Sequence, residues 1–350
     1  MSQTVLLAMS GGTDSSVCAM LLQEQGFTVK GVTFITHRTD NQDTPTYVAE
    51  ARQLAQQLHI EHQTLDISAR FKTEIIDYFT AEYAAGRTPN PCIKCNETIK
   101  WAILYDLAKD LNCDRIATGH YANIATINNI HYITKGIDPS KDQSYFLWRL
   151  PQHILAKAMM PLGQFTKQQV KAMALERGFR AVSTKKESMG ICFLAGSDVT
   201  SFLKKNLPPE LQQAGVIIDR QGNTIGHHDG APFYTIGQKR GLTLNEEAKG
   251  SCVHQIMPQQ QTIVADTPED LYCNHLTTNN LYFNRLSDII EGKTYQLRIR
   301  GLDTVPSHPA KLQIKDNQLI INFKNPVWAI TPGQSIVVYD ENRVLGGAII

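Results

Sequence analysis

Residues 5–16 read VLLAMSGGTDSS, and the reading of this stretch decides the fold. Residues 5–9 form an uninterrupted apolar run of the length of a buried parallel strand, while residues 15–25, SSVCAMLLQEQ, repeat apolar side chains at helical spacing and stop at Gly26. The turn between them lies at a strand's carboxyl end and a helix's amino end, where open α/β sheets take their ligands. Gly11 and Gly12 let the backbone turn tightly and leave N–H groups uncovered. Ser10, Thr13, Ser15 and Ser16 add hydroxyls, and the helix directs its positive end at the same spot. An anion is expected there, a phosphate. Gly-Gly-Thr-Asp is also ordinary turn chemistry, and on the loop alone that reading stays open.

The flanking sequence alternates strand and helix. Residues 27–34 (FTVKGVTF) read as a second strand whose end sets Phe34 to cover a flat ring such as adenine. Residues 46–58 read as an amphipathic helix, 61–67 as a strand, and 71–83 as a helix ending at Gly86. The alternation predicts an α/β class with a doubly wound parallel sheet. In GRTPNPCIKCNETIKW, residues 86–101, Pro89 and Pro91 exclude helix around Asn90, and Asn96 is predicted to cap a helix over 97–110. That would deliver Cys92 and Cys95 to a helix start, where the dipole favours a thiolate. A strand after Cys113 runs out into ATGHY, so Thr118, Gly119 and His120 are expected to face the same cleft as the glycine turn. Residues 166–177 read as a helix with Lys167, Lys171 and Arg177 near one side, a pattern most often merely solvated.

The character changes near residue 197. A helix over 197–206 is stopped by LPPE; GVIIDRQGNTIG then reads as a hairpin around Gln221-Gly222-Asn223, with a basic tip further on at Lys239 and Arg240. From about residue 282 short alternating strands (YQLRIRG, AKLQIK, QLIINF, SIVVYD) predict a small all-β barrel. The expected parts are therefore 1–196, 197–281 and 282–350.

With 350 residues, 42% hydrophobic, 19% charged and a net charge of +1, the chain is neither disordered nor fibrous. It makes no global case for a polyanion, so such a partner must be met by local patches. No run of about 18 apolar residues and no signal-peptide pattern is found, which predicts a cytoplasmic protein with no membrane partner. Its seven cysteines then read as core and reactive thiols, not as a disulfide framework. Cys18 falls on the apolar face of the first helix and reads as core. Cys92 and Cys95 form a lone CxxC without a second pair or well-spaced histidines for zinc, and a thioredoxin-like pair suits a nucleotide fold poorly. Cys192, in MGICF, follows a glycine just before the fold changes.

SGGTDSS lacks the Lys-Ser or Lys-Thr of a Walker A loop and is not GxGxxG. It resembles the PP-loop, SGGxDS, of the N-type ATP pyrophosphatases, which implies that the loop holds the pyrophosphate leaving ATP. Together with GRTPNPCIKCN, ATGHY, KDQSYFL, KKESMGICF, YTIGQKRGL and TPGQSIVVYD, in order, it resembles the tRNA-specific 2-thiouridylase (MnmA) family from residue 5 almost to the end. The resemblance implies an enzyme that uses ATP, with magnesium, to replace the C2 oxygen of the wobble uridine of certain tRNAs by sulfur. It implies that Ala8, Met9, Ser10, Gly11, Gly12, Thr13, Asp14 and Ser15, with Phe34 and Gly119, bind ATP. Cys95 matches the family's nucleophile, and Cys192 the cysteine that receives a persulfide from a donor protein, either a persulfide carrier or a cysteine desulfurase. Asn90, Pro91 and Cys92 would touch the target base; His120, Lys141, Asp142, Gln143, Arg300, Gly301 and Gln334 would meet the tRNA. A disulfide between Cys95 and Cys192 would close the cycle.

Many members carry Asp where this chain has Cys92. Either Cys92 is a spectator, or Cys92, Cys95 and Cys192 make a three-thiolate site for a [4Fe-4S] cluster, as related tRNA thiolases do. THRTDNQDTP and GSCVHQI also look divergent. Two other functions fit parts of the pattern: a small-molecule PP-loop ligase resembling argininosuccinate synthase, which leaves Cys95 and Cys192 without work, and a non-enzymatic tRNA binder.

Overall fold

The computed structural model describes residues 2–37, 45–179, 190–194, 196–301 and 307–350. Most of THRTDNQDTP and residues 185–189 of KKESMGICF lie outside the described residues. The chain divides into two compact units. One comprises Met1–Ile75, Cys92–Phe193 and Asn342–Leu345; the other comprises Ile76–Pro91, Leu194–Glu341 and Gly346–Ile350.

The first unit contains β1 (Thr4–Ala8), α1 (Thr13–Glu24), β2 (Thr28–Ile35), α2 (Thr46–Gln57) and β3 (Glu61–Asp66). It continues with α3 (Trp101–Asp110), β4 (Arg115–Ala117), β5 (Ala122–Ile127), β6 (Ile130–Lys135), β7 (Ala158–Met159) and α4 (Lys167–Glu176). Five strands form one parallel sheet in the order β3-β2-β1-β4-β7, the arrangement that strand–helix alternation predicts. β1 lies in the middle, and Val5, Leu6 and Leu7 are wholly buried, which is why its sequence is apolar without alternation. Val5 and Leu7 share a core with Val17 and Leu22 of α1, Ala51 and Leu54 of α2, and Val170 and Ala174 of α4. Each such buried Leu or Val contributes about 1.5–3 kcal/mol relative to exposure.

Two glycines fix where the turn after β1 sits. Gly11 has φ +69°, and a Cβ there would stand 2.9 Å from the Tyr47 carbonyl oxygen and 3.0 Å from the Ala51 nitrogen, so α2 packs directly on the turn. A Cβ on Gly119, beyond the end of β4, would stand 3.1 Å and 3.2 Å from atoms of Asp14. β5 and β6 form a hairpin through Asn128 and Asn129, both at positive φ.

The helix carrying the CxxC differs from expectation. It opens at Pro91, where the missing N–H costs nothing, and runs through Lys94 into a π-turn, Cys95–Lys100, before α3. Asn96 is therefore no N-cap. It is 3% exposed inside the π-turn, and its Nδ2 donates to the Phe146 carbonyl at 3.1 Å.

In the second unit β8 (Gly215–Ile218) and β9 (Thr224–His228) form the expected hairpin, closed by the Asp219 N–H on the Asn223 carbonyl at 2.9 Å. With β10 (Thr243–Leu244), β11 (Cys252–Met257) and β12 (Thr262–Asp266) they make a sheet in the order β10-β9-β8-β12-β11 over a core that includes Ile217, Val253 and Ile263. The remaining strands are β13 (Tyr272–Thr278), β14 (Asn280–Phe283), β15 (Thr294–Arg298), β16 (His308–Lys315), β17 (Gln318–Trp328), β18 (Ser335–Asp340) and β19 (Arg343–Ile349). They are antiparallel, in the order β13-β17-β16-β15-β18, with β14 on residues 346–349 of β19. Because β13 pairs with β17, this sheet starts ahead of residue 282.

Gly11→Ala tests the packing of α2 on the turn. Combining positive φ with a 2.9 Å collision, it should cost about 1–3 kcal/mol, read as a lower urea midpoint at unchanged slope.

Candidate active site

The turn is braced from within. Gly12 is the N-cap of α1, and no side chain caps the helix. The Ser15 and Ser16 hydroxyls donate to the Gly12 carbonyl at 3.1 and 2.7 Å, and the Ser10 N–H donates to Ser15 Oγ at 3.2 Å. Ser15 and Ser16 are buried, so these hydroxyls shape the loop instead of facing outward, contrary to the simple donor count from the sequence. Ala8 and Met9 lead into the turn, Thr13 is buried behind it, and half-buried Phe34 ends β2 with its carbonyl accepting from the Tyr47 hydroxyl at 3.3 Å. What the loop offers an anion is backbone at an uncapped helix start.

Asp14 is the first-turn acid of α1. Its carboxylate accepts from Lys167 Nζ at 2.7 and 2.8 Å and from the Tyr121 hydroxyl at 2.7 Å. Lys167 is thus no solvated surface charge: its side chain is only 12% exposed, and its backbone N–H is held by Asp138 at 2.9 Å. Arg177 likewise is engaged, with Glu24 at 2.8 Å. The sequence carried a signal for Lys167. Thr166 and Gln169 form a capping box that makes Lys167 the first residue of α4, a position where the helix dipole disfavours a cation unless a specific anion awaits it.

All three thiols feel the charge of one cation. Cys92, Cys95, Cys192 and the imidazole of His120 all lie within electrostatic reach of Lys100, and Cys192 acts in turn on both Cys92 and Cys95. The π-turn explains part of this, because it sets Lys100 one turn above Cys95 with the Lys100 backbone N–H on the Cys95 sulfur. Lys100 is the residue that reading by motif missed. Burial is the largest effect on each thiol: it pushes Cys92 up to about 11 and raises Cys95 and Cys192, while Lys100 opposes it. Cys192 is an exposed residue, yet atoms crowd its sulfur enough to desolvate the thiolate. Phe193 anchors its turn by meeting Phe71 edge-on at 6.1 Å.

His120 is 8% exposed, bonded through Nδ1 to the Thr118 hydroxyl at 2.6 Å and stacked on Trp101 at 6.0 Å. Burial first, and Lys100 second, hold its pKa well below the ordinary value, so it is neutral at pH 7. The other expected tRNA residues have structural partners. Asp142 accepts from the Gly136 N–H at 3.0 Å and the Ser144 hydroxyl at 2.8 Å, Gln143 Oε1 accepts from the Tyr121 N–H at 2.9 Å, and the Lys141 N–H bonds the Asp138 carbonyl at 3.1 Å. In the second unit Gln334 donates to the Thr88 carbonyl at 2.7 Å, Gly301 accepts from Arg298 at 2.9 Å, and Arg300 reaches the Trp328 and Ala329 carbonyls. Asn90 is half-buried and Pro91 buried. Cys18 is core as expected, its thiol on the Thr118 carbonyl at 3.6 Å.

A cluster does not suit the three cysteines as they stand. Among the described residues no three His, Cys, Asp or Glu side chains converge to hold a metal ion, and the ammonium of Lys100 shares the thiols' surroundings.

Removing the Lys100 charge should move all three thiols further up. Lys100→Met is expected to shift the pH profile of iodoacetamide labelling at Cys95 to the alkaline side and slow labelling at pH 8 by roughly 3–10-fold, with Lys100→Arg close to wild type. Peptide-resolved mass spectrometry checks this.

Comparison with known proteins follows the same lines. The family described as tRNA methyl transferase HUP domain matches residues 3–196, its PRC-barrel domain matches 200–265, and an aminomethyltransferase beta-barrel domain matches 274–350. The tRNA-specific 2-thiouridylase MnmA 2 of Phocaeicola vulgatus is 41% identical over 99% of this chain and 97% of its own length. The MnmA enzymes of Amoebophilus asiaticus and Chlorobaculum tepidum are each 38% identical over 99% of this chain, and over 94% and 95% of their own lengths. A parallel sheet with a PP-loop at the end of its central strand, followed by β-rich parts and matched end to end by these relatives, means that the chain belongs to the tRNA-specific 2-thiouridylase family.

Proposed function

We propose that this chain adenylates the C2 oxygen of the wobble uridine (U34) of tRNA and replaces that oxygen by sulfur, giving 2-thiouridine, AMP and pyrophosphate. The observation that carries the reading is that Cys95 and Cys192 share the surroundings of Lys100 within the unit that also holds the glycine turn. A ligase of small molecules has no use for that arrangement.

The chemistry follows from a poor electrophile and a poor leaving group. The uridine O2 attacks the α-phosphorus of ATP and pyrophosphate departs; the turn from Ala8 to Ser15, with Gly119 against it and Phe34 beside it, binds the nucleotide. C2 then carries AMP in place of oxide. The terminal sulfur of a persulfide on Cys192 attacks C2, and AMP leaves with the oxygen. The Cys95 thiolate attacks the Cys192 sulfur, which frees the 2-thio group and joins the two cysteines in a disulfide that an external thiol reductant reopens. Asn90, Pro91 and Cys92 bound the space for the target base, which must leave its stack to arrive there.

Exposure of Cys192 supports its receiving sulfur from another protein, a persulfide carrier or a cysteine desulfurase. Magnesium would arrive with ATP and neutralise phosphate charge. Asp14, the acid beside the turn, already serves Lys167 and Tyr121, which favours a metal carried mainly by phosphates. Seven free cysteines among the described residues suit a reducing cytoplasm, and no described helix is long and apolar enough to cross a membrane. Arg300, Gly301 and Gln334, with Lys141, Asp142, Gln143 and His120, belong to the tRNA contacts in this reading.

Cys95→Ser and Cys192→Ser should each lower 2-thiouridine formation by at least about 100-fold while tRNA-dependent pyrophosphate release stays within roughly threefold of wild type. Pyrophosphate release that needs no tRNA and is unimpaired in both variants would point to the ligase. Iron and acid-labile sulfide assays on anaerobically purified, active enzyme are expected to find no stoichiometric iron.

A further inference from the structure

A run of polar groups in the first unit is bonded head to tail, from the edge strand of the parallel sheet to the glycine turn. His62, on β3, sets its Nε2 2.8 Å from the Thr33 hydroxyl of β2. That hydroxyl lies 2.8 Å from the Met9 carbonyl. The peptide carrying this carbonyl also carries the Ser10 N–H, which donates to Ser15 Oγ at 3.2 Å, and the Ser15 hydroxyl donates to the Gly12 carbonyl at 3.1 Å. Gly31 makes room for the arrangement: a Cβ there would stand 2.6 Å from Met9 Sδ and 3.1 Å from the His62 ring.

Chemistry fixes the direction of every bond. A carbonyl only accepts, so the one proton of the Thr33 hydroxyl is committed to Met9. Thr33 Oγ1 must then accept from His62, which places a ring proton on Nε2. Burial first, and the charge of Arg52 second, hold the His62 pKa below the ordinary value, so the ring is neutral at pH 7 and its Nδ1 is bare. That nitrogen is buried and has no hydrogen-bond partner among the described residues. Thr33 is 1% exposed and Met9 3%, so the bond between them does not compete with bulk water. A trans peptide is planar, and holding its Met9 carbonyl on one side and its Ser10 N–H on the other leaves it one orientation. Gly11 and Gly12 start from that plane. Buried hydrogen bonds aligned in one direction strengthen each other, so a loss at the first donor is felt along the run.

We propose that His62, acting through Thr33, is a positioning residue for the phosphate-binding turn: its Nε2–H holds the Thr33 hydroxyl on Met9, which sets the peptide from which the turn departs. This deepens the proposed function and rests on it for one point, that the ligand of the turn is ATP.

The full chain is assayed for tRNA-dependent pyrophosphate release over a range of ATP concentrations, for binding of labelled ATP by equilibrium dialysis, and for its melting temperature. His62→Leu and Thr33→Val should each raise the KM for ATP and weaken ATP binding roughly 3–10-fold, with kcat and the KM for tRNA within about twofold of wild type. The double variant should be no worse than either single one, because both break the same run of bonds. His62→Gln, whose amide N–H reaches the place of Nε2–H, should restore ATP affinity, and Thr33→Ser, which keeps the hydroxyl, should retain it. Ring-nitrogen NMR should find His62 protonated at Nε2 and bare at Nδ1. If His62→Leu melts early, Thr33→Val against Thr33→Ser carries the test. Unchanged ATP affinity in His62→Leu and Thr33→Val, losses that add in the double variant, or His62→Gln as weak as His62→Leu overturn the positioning role and leave thiolation standing. Weakened ATP binding that His62→Gln restores, in an enzyme that makes no 2-thiouridine, overturns the thiolation reading and leaves the positioning role.

Discussion

The approach of the Gly119 backbone to the first turn of α1 is the constraint on which the rest of the site depends. With any side chain at that position, atoms of Asp14 would stand within about a carbon diameter of its Cβ, and the end of β4 would be pushed away from the glycine turn. The residues that follow would move with it. Tyr121 reaches Asp14 from there, at 2.7 Å, and His120 stacks on Trp101, the residue next to Lys100. A single close backbone contact thus ties the glycine turn to the helix that carries Cys92 and Cys95. The apolar core beneath, shared by β1, α1, α2 and α4, supplies the rigidity that makes a contact of this kind hold.

Two opposed electrostatic effects set the character of the thiol pocket. Taking sulfur out of water disfavours the thiolate, and this is the larger effect at Cys92, Cys95 and Cys192 alike; the Lys100 charge offsets it in part. The outcome is that all three thiols lie above the ordinary cysteine value. A thiol raised in this way is ionised less often, which makes it less open to adventitious oxidation. Asp14 and Lys167 at the turn satisfy each other as acid and base at 2.7 Å.

Much of this was legible in the residues themselves. The buried strand follows from an unbroken apolar run and the helix after it from 3.6-residue spacing, and the glycines at 11 and 119 mark places where backbone meets backbone. Other features were not legible, for identifiable reasons. Asn96 has the chemistry of a cap, yet it sits inside a helix, because tertiary burial and a bond to Phe146 outweigh its local preference. Ser15 and Ser16 look like ligand donors but spend their hydroxyls on the Gly12 carbonyl. Lys167 and Lys100 were hidden because a charge's partner, far away in sequence, decides whether it is solvated or engaged. Early pairing of β13 with β17 depended on a long-range match that alternation alone does not fix.

The π-turn over Cys95–Lys100 has a consequence for how the family can vary. Such a turn holds one residue more than an α-helical turn, so deleting a single residue within it would let the helix run on regularly and rotate everything upstream by about 100°. Surface loops absorb length changes easily; this segment cannot, since a one-residue loss would swing Cys92 and Cys95 away from the cation they face. Natural lineages should therefore tolerate substitution between the second cysteine of the CxxC and the lysine far better than any indel there.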